Sequence, residues 1–273
     1  MLAAAPLFAA DDEATCSFAA QSAYGFYDRS IERKRYFSDG FTLGCTPDDA
    51  GAIVGVNNWE LTRERPQNDL KGTEYRFSVY EYKKSEDAGS VGMALALTYL
   101  TGNDENTRRT VVPYVAFMYR TEDAKAYYDV GFAQSDYLDA SSRQFTVTGG
   151  RSLFSGYVWS QTRLYYIDLS NEVQEKDYTM AVEERLTWFL VPEKFFLTLY
   201  GLLGNRIYSY DPDTGLVYSL PDIESGTVGL TLAYDIAPGF RLFADVTHKS
   251  YAKPSINDRY TATYGTVGLR YSY

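Results

Sequence analysis

Read as an extended strand, residues 261–273, T-A-T-Y-G-T-V-G-L-R-Y-S-Y, sort onto two unlike faces. Thr263, Gly265, Val267, Leu269, Tyr271 and Tyr273 make one face, apolar and ending in aromatics, while Ala262, Tyr264, Thr266, Gly268, Arg270 and Ser272 make the other, small and polar. The same period of two recurs upstream. In 91–101, Val91, Met93, Leu95, Leu97 and Tyr99 oppose Gly92, Ala94, Ala96 and Thr98. In 110–120, Val111, Pro113, Val115, Phe117 and Tyr119 oppose Val112, Tyr114, Ala116, Met118 and Arg120, and in 194–208 the apolar face is Phe195, Leu197, Leu199, Gly201 and Leu203. Each segment is long enough for one β-strand and carries one apolar face.

Between the segments, short connections rich in Gly, Pro and acids alternate with longer polar ones. The short ones fall at 46–51, 84–89, 121–123, 149–156, 191–194 and 237–239; the longer ones at 29–35, 65–72, 102–109, 135–143, 170–177, 210–225 and 252–259. Segments of about ten alternating residues, joined by short turns at one end and long loops at the other, resemble a bacterial outer-membrane β-barrel. The terminal aromatic, Tyr273, resembles the C-terminal signature recognised by the barrel-assembly machinery of that superfamily. The resemblance implies an all-β fold, a closed antiparallel transmembrane β-barrel with both termini periplasmic, in contact with outer-membrane lipids and lipopolysaccharide. Counting connections predicts about fourteen strands; a twelve-strand barrel, with the residues before about 50 forming a periplasmic arm or plug, is the alternative.

Three places strain this pattern. Proline cannot donate to a sheet ladder, so Pro113 predicts a bulge or local gap. Residues 157–169 place Gln161 and Arg163 on the face of Trp159 and Ile167, and residues 180–190 place Glu184 among Val182, Leu186 and Trp188. A lipid-facing charge at midplane costs about 2 to 4 kcal/mol for Arg and less for Glu, so either a bulge shifts these faces or the charges sit near an interface.

Composition sharpens the picture. Aromatics make up 16% of the chain, with 26 Tyr, whose apolar ring and polar tip suit the girdles of a membrane barrel. Mean hydropathy is only -0.32, as expected where alternate residues alone are apolar, and no apolar run reaches the roughly 18 residues of a membrane helix. A net charge of -10 without a basic patch argues against a nucleic-acid partner. Residues 1–10, M-L-A-A-A-P-L-F-A-A, read as a residual signal peptide with small residues before a possible cleavage point after Ala9 or Ala10, leaving 11–273 as one barrel domain. Cys16 and Cys45 are the only cysteines, and an antiparallel hairpin folded near residues 30 and 31 sets them opposite each other. In an oxidising compartment that predicts a disulfide, and it favours fourteen strands over twelve.

Candidate chemistry is sparse. Neither a phosphate-binding glycine loop, a metal-ligand cluster nor a nucleophile elbow is present, and no cofactor is expected. Parity puts His248 and Ser250 on the lipid face, in an arrangement similar to the His-x-Ser of outer-membrane phospholipase A and of the lipopolysaccharide 3-O-deacylase. By that resemblance Ser250 is nucleophile and His248 general base. The adjoining strand offers only Thr261 and Thr263 on that face, so Asn257 or Asp258 must reach back as the orienting group. The expectation is therefore no enzyme, with a lipid hydrolase as one alternative and a barrel anchoring a surface complex as another. Parity assigns Arg76, Arg120, Lys125, Arg185, Arg206, Arg241, Lys249 and Arg270 to the lumen, with Glu74, Asp129, Glu183 and Asp245 as inward acids. Either Arg–carboxylate–Tyr hydrogen bonds fill this interior or it is an aqueous passage; basic groups outnumber acids there, and a channel for small polar solutes, anionic or zwitterionic, is the expectation. A fourteen-strand barrel lies between the eight strands that side chains fill and the sixteen to eighteen that leave a channel.

Overall fold

The computed structural model describes residues 15–46, 49–64, 67–85, 89–104, 107–191 and 194–273. The expected signal-peptide remnant at 1–10 lies outside the described residues, as do parts of the turns expected at 46–51, 84–89 and 191–194. Fourteen strands follow in order: β1 (Thr15–Asp28), β2 (Arg33–Thr46), β3 (Ala50–Arg63), β4 (Leu70–Ser85), β5 (Gly89–Gly102), β6 (Thr110–Arg120) and β7 (Ala126–Asp136). They continue with β8 (Ser141–Leu153), β9 (Val158–Val173), β10 (Lys176–Val191), β11 (Phe195–Arg206), β12 (Ile223–Ala237), β13 (Phe240–Lys253) and β14 (Asp258–Ser272). Each pairs antiparallel with its sequence neighbours, and β1 pairs with β14, so the sheet closes without an edge. Closure satisfies every ladder from within, the condition for a sheet to cross lipid.

The seam is tied at one end. Cys16 exchanges both backbone hydrogen bonds with Tyr273, at 3.0 and 2.8 Å, and its side chain forms the disulfide to Cys45 across the β1–β2 pair. The expected pairing and the count of fourteen both hold.

The expected faces hold in β5, β6, β11 and β14: Val91, Met93, Leu95, Leu97, Val111, Phe117, Leu199, Leu203, Val267 and Leu269 are exposed on the outer wall. At Pro113 the β5 side of the ladder is unbroken, but pairing with β7 begins only at Tyr114 opposite Ala133, so the expected gap lies on the β7 side. The conflict in 157–169 resolves differently from either expectation. Arg163 is buried, because the face it shares with Trp159 and Ile167 is the lumen and not the lipid side. Glu184 does point outward, and the β9–β10 register runs unbroken past it; Ser160 donates a 2.8 Å hydrogen bond to its carboxylate, and Thr162 donates another.

Other expectations need correction. β9 and β10 extend through most of the expected 170–177 loop and meet in a tight turn at Gln174 and Glu175, both at positive φ (52 and 64). The loop at 135–143 likewise shrinks to 137–140, and the 149–156 turn moves to 154–157. Tyrosines serve on both sides of the wall, and the inward places that parity gives Tyr114 and Tyr200 hold. Tyr75, Tyr99, Tyr119 and Tyr128 pair on the outside, but Tyr114, Tyr165, Tyr200 and Tyr260 are buried within the barrel. A tyrosine fits both settings because its ring is apolar and its hydroxyl finds a partner in either.

Candidate functional site

The connection between β11 and β12, residues 207–222, enters the barrel instead of covering its mouth. Its course begins in the strands. Register shifts interrupt the β11–β12 pair between Leu203 and Arg206 and the β12–β13 pair between Glu224 and Gly226, so both strands are irregular where they feed the loop. Bulges of this kind bend and twist a strand. Gly204 sits at φ 108, where a Cβ would come within 2.4 Å of the Met180 carbonyl oxygen, and this position therefore requires glycine.

The root of the loop is apolar. Ile207 and Ile223 pack with Ala140, Ile167, Leu169 and Val173, and the Tyr208 ring stacks on Tyr137 at 4.1 Å. Beyond the root the chain forms a narrow hairpin. Tyr210 bridges Val217, the Tyr218 amide donates to the Ser209 carbonyl, and the Asp211 carboxylate accepts from the amides of Asp213 and Thr214. D-P-D-T-G, residues 211–215, is turn-forming sequence: Pro212 presets its φ, Asp211 caps the turn, and Gly215 takes φ 67.

The hairpin tip is fastened by polar side chains of the wall. Gln144 donates to the Tyr210 carbonyl at 2.7 Å and accepts from its amide at 3.0 Å. Arg76 donates to the Thr214 carbonyl, Thr98 to that of Gly215, and Glu74 accepts from the Val217 amide. Arg33 forms a buried ion pair with Asp222 at the loop's far end. At the hairpin tip the two carboxylate oxygens of Asp213 are held by different arginines: Arg163 at 2.7 Å and Arg185 at 2.9 Å.

From that clamp an ion-pair chain runs along the wall. Arg185 meets Glu183 at 3.0 Å, Glu183 lies 3.8 Å from Arg206, Arg206 meets Glu224 at 3.1 Å, and Glu224 meets Lys249 at 3.3 Å. Arg206 is also sandwiched between the rings of Tyr165 and Tyr218 at 4.9 and 5.1 Å. Burial opposes ionisation of Asp213, but Arg163 and Arg185 more than offset it and hold the carboxyl below its ordinary range.

Of the residues expected in the lumen, Arg76, Glu183, Arg185, Arg206, Lys249 and Glu74 thus join the loop or its supporting chain. Asp245 is a separate buried acceptor, bonded by Tyr200, Thr231 and Thr247 at 3.0, 2.7 and 2.7 Å. Asp129 is buried on the inner face of β7. Arg120 pairs with Asp49 at 3.1 Å and lies over the Tyr82 ring; Arg241 pairs with Asp235 at 2.6 Å and lies over Phe196. Arg270 faces inward beside Arg241, and among the described residues no carboxylate is within ion-pair distance of it. Lys125 is not a lumen residue; it is exposed on the β6–β7 turn, paired with Asp123.

Parity missed Arg163, through the face assignment above, and it missed every loop contact. One signal was present. I-Y-S-Y at 207–210 and L-V-Y-S-L at 216–220 are too apolar for a loop in water.

His248 and Ser250 lie in outward positions on β13, as expected. The His248 ring bonds Thr263 Oγ1 at 2.9 Å, and Asn257 is an exposed residue of the β13–β14 turn. Asp258 is turned to Ser30 and the Ile31 amide. No carboxylate or amide side chain among the described residues bonds the imidazole.

Between the loop and the wall of β1–β4 and β12–β14 lies a cavity of about 200 Å³, lined in part by Tyr27, Tyr36, Glu74, Lys249, Tyr251 and Tyr264. Among the described residues no cluster of side chains suited to hold a metal ion occurs.

No family model and no curated protein matches the chain. Solved structures do. The fold is similar to that of a TodX monoaromatic hydrocarbon channel (deltaS2 mutant), at 10% identity over 96% of this chain and 90% of that one, with a TM-score of 0.60. It is similar to a bacterial polysaccharide outer membrane secretin, at 11% identity over 96% and 99% of the two chains and a TM-score of 0.55. A third likeness is to OprB of Pseudomonas putida, at 9% identity over 96% and 94%, TM-score 0.50. The chain therefore has the outer-membrane β-barrel fold.

Proposed function

We propose that this barrel is an outer-membrane channel for small polar solutes, anionic or zwitterionic, whose passage is constricted by the inward loop 207–222. The carrying observation is the cavity of about 200 Å³ left beside the loop, whose lining sets Arg33, Arg206, Lys249 and several tyrosines beside the carboxylates Glu74, Asp222, Glu224 and Asp245. The barrels of similar fold include a monoaromatic hydrocarbon channel by name. The charged wall here suits a polar cargo instead, because an apolar solute would leave buried charges without water. In this reading both termini are periplasmic, the apolar belt meets outer-membrane lipid and lipopolysaccharide, and the barrel-assembly machinery engages the last strand.

One observation favours a second reading, a barrel that anchors a surface complex: the loop lies across the lumen and is bonded to its wall on several sides. Single-channel recording in planar bilayers separates the two. Discrete conductance with an anion-directed reversal potential under a salt gradient is expected of the channel. Cation selectivity overturns the solute preference, and absence of conductance favours the anchor.

A further inference from the structure

Asp213 is held as a bound carboxylate is held. Its two oxygens take one guanidinium each, Arg163 and Arg185, from adjacent strands, so the site grips a carboxylate from two sides. Both arginines are nearly buried, at 2% and 7% exposure, and their geometry is fixed by the wall itself: Thr148 accepts from Arg163 Nε at 2.9 Å, and Glu183 accepts from Arg185 Nη2 at 3.0 Å. The clamp therefore does not need the loop in order to exist. It also has donors to spare. Arg163 Nη1 and Arg185 Nε are buried without a hydrogen-bond acceptor among the described residues.

Charge points the same way. The connected ion-pair chain contains Arg163, Arg185, Arg206 and Lys249 against Glu183, Glu224 and Asp213, four cations to three carboxylates. Taking Asp213 away leaves four to two. Asp213 is the only one of the three acids carried by the loop, and its removal leaves the clamp between β9 and β10 without an ion-paired carboxylate on Arg163, the remaining neighbouring acids, Asp129 and Asp211, making no ion pair with either arginine.

We propose that the Arg163–Arg185 pair is a binding site for a solute carboxylate, and that the Asp213 side chain is its resident competitor. This deepens the channel reading above and names the solute's recognised group. A permeating carboxylate exchanges with Asp213 at the clamp, freeing the hairpin tip while it occupies the site. The loop is then both constriction and internal ligand, and the site discriminates by charge and by the planar two-oxygen form of the carboxylate, which the guanidinium forks match.

Acetate is the test probe, because it reproduces the Asp213 side chain beyond Cα. Its binding to detergent-solubilised barrel is titrated by saturation-transfer NMR, with acetamide as the uncharged isostere. Asp213→Ala is expected to bind acetate about tenfold or more tightly than wild type, since a tethered competitor acts at millimolar effective concentration. Acetamide is expected to bind neither protein, and the additional change Arg163→Gln is expected to abolish the gain. Equal acetate affinity in wild type and Asp213→Ala overturns the proposal, as does equal binding of acetamide.

If Asp213→Ala does not fold, two measurements decide the matter in its place. Asp213→Asn, which keeps the loop's shape, must bind acetate more tightly than wild type. In wild type itself, several hundred millimolar acetate must raise hydrogen exchange at 210–217 above that in equal chloride, and no rise overturns the proposal. None of these readings uses conductance, so a silent bilayer with acetate binding removes the channel reading and keeps the site. A conducting barrel without differential binding does the reverse.

Discussion

The side-chain amide of Gln144 pairs with the backbone of Tyr210 as a neighbouring strand would, donating to its carbonyl at 2.7 Å and accepting from its amide at 3.0 Å. One residue on β8 thereby satisfies both polar groups of a buried loop residue. Gln144→Leu leaves them unpartnered, at a cost of roughly 1 to 3 kcal/mol for each buried group. The expected result is faster hydrogen exchange at 209–218 by about tenfold or more, the Boltzmann weight of such a cost, with the strands unchanged. Mass-spectrometric exchange on the detergent-solubilised protein measures it.

Asp213 gives the loop a defined response to acid. Its carboxyl is held below the ordinary range by Arg163 and Arg185, against the opposing effect of burial. A depressed carboxyl contributes stability that is fully present above its unfolded value, near 3.9, and is lost as pH falls through the folded value. Docking is therefore expected to be unaltered by Asp213 between pH 5 and 8, roughly, and to loosen only in strong acid. Near-ultraviolet circular dichroism, which reports the Tyr137–Tyr208 and Tyr114–Tyr210 ring pairs, follows this. Loss of that signal near neutrality in wild type, absent in Asp213→Asn, contradicts it.

Arg270 is a lumen cation with no carboxylate in ion-pair reach among the described residues, and unlike Arg76, which is bonded to the Thr214 carbonyl, it makes no side-chain hydrogen bond among them; Arg241 next to it already has Asp235. Uncompensated charge in a narrow lumen governs permeation more than the acids of turns and loops, which salt screens over about 8 to 10 Å. Arg270→Gln is expected to lower the anion-to-cation permeability ratio by roughly sevenfold, because ~0.6 kcal/mol between unit charges about 7 Å apart in water is lost once as attraction for the anion and once as repulsion for the cation. Reversal potentials under a salt gradient read the change directly. Arg241→Gln removes the same unit of charge and leaves Asp235 uncompensated, so it is expected to lower the ratio at least as much.

The Cys16–Cys45 disulfide joins residues 29 positions apart, at the end where β1 meets β14. In the chain-entropy description such a bond contributes roughly 3 to 4 kcal/mol. Cys16→Ser with Cys45→Ser is expected to fold but to unfold at a lower temperature in detergent, as seen by the heat-dependent shift of barrels in gel electrophoresis. Peptide mass spectrometry under non-reducing conditions checks the bond itself.

His248 bonds Thr263, a group that holds the ring but carries no charge to support an imidazolium. The purified barrel is expected to cleave acyl esters no faster than background. A rate above background that Ser250→Ala removes replaces the channel reading with a hydrolase.

What the sequence determined was local. Alternation with a period of two separated Val91, Met93 and Leu95 from Gly92, Ala94 and Ala96, and it put Arg76, Arg185, Arg206 and Arg270 inside, because each choice depends on a residue's immediate neighbours in one extended strand. The disulfide was legible for the same reason, through a single hairpin register. The step failed at Arg163, where aromatic Trp159 and aliphatic Ile167 made a lumen face look apolar. It also failed at the ends of strands, where β9 and β10 run on through residues polar enough to read as loop. Only the tertiary structure decided where 207–222 goes. Arg163 meets Asp213 across 50 positions of sequence, Gln144 meets Tyr210 across 66, and Arg76 meets Thr214 across 138. Such meetings follow from closing fourteen strands into a ring, which turns residues distant along the chain toward one small interior, and no period within a strand encodes them.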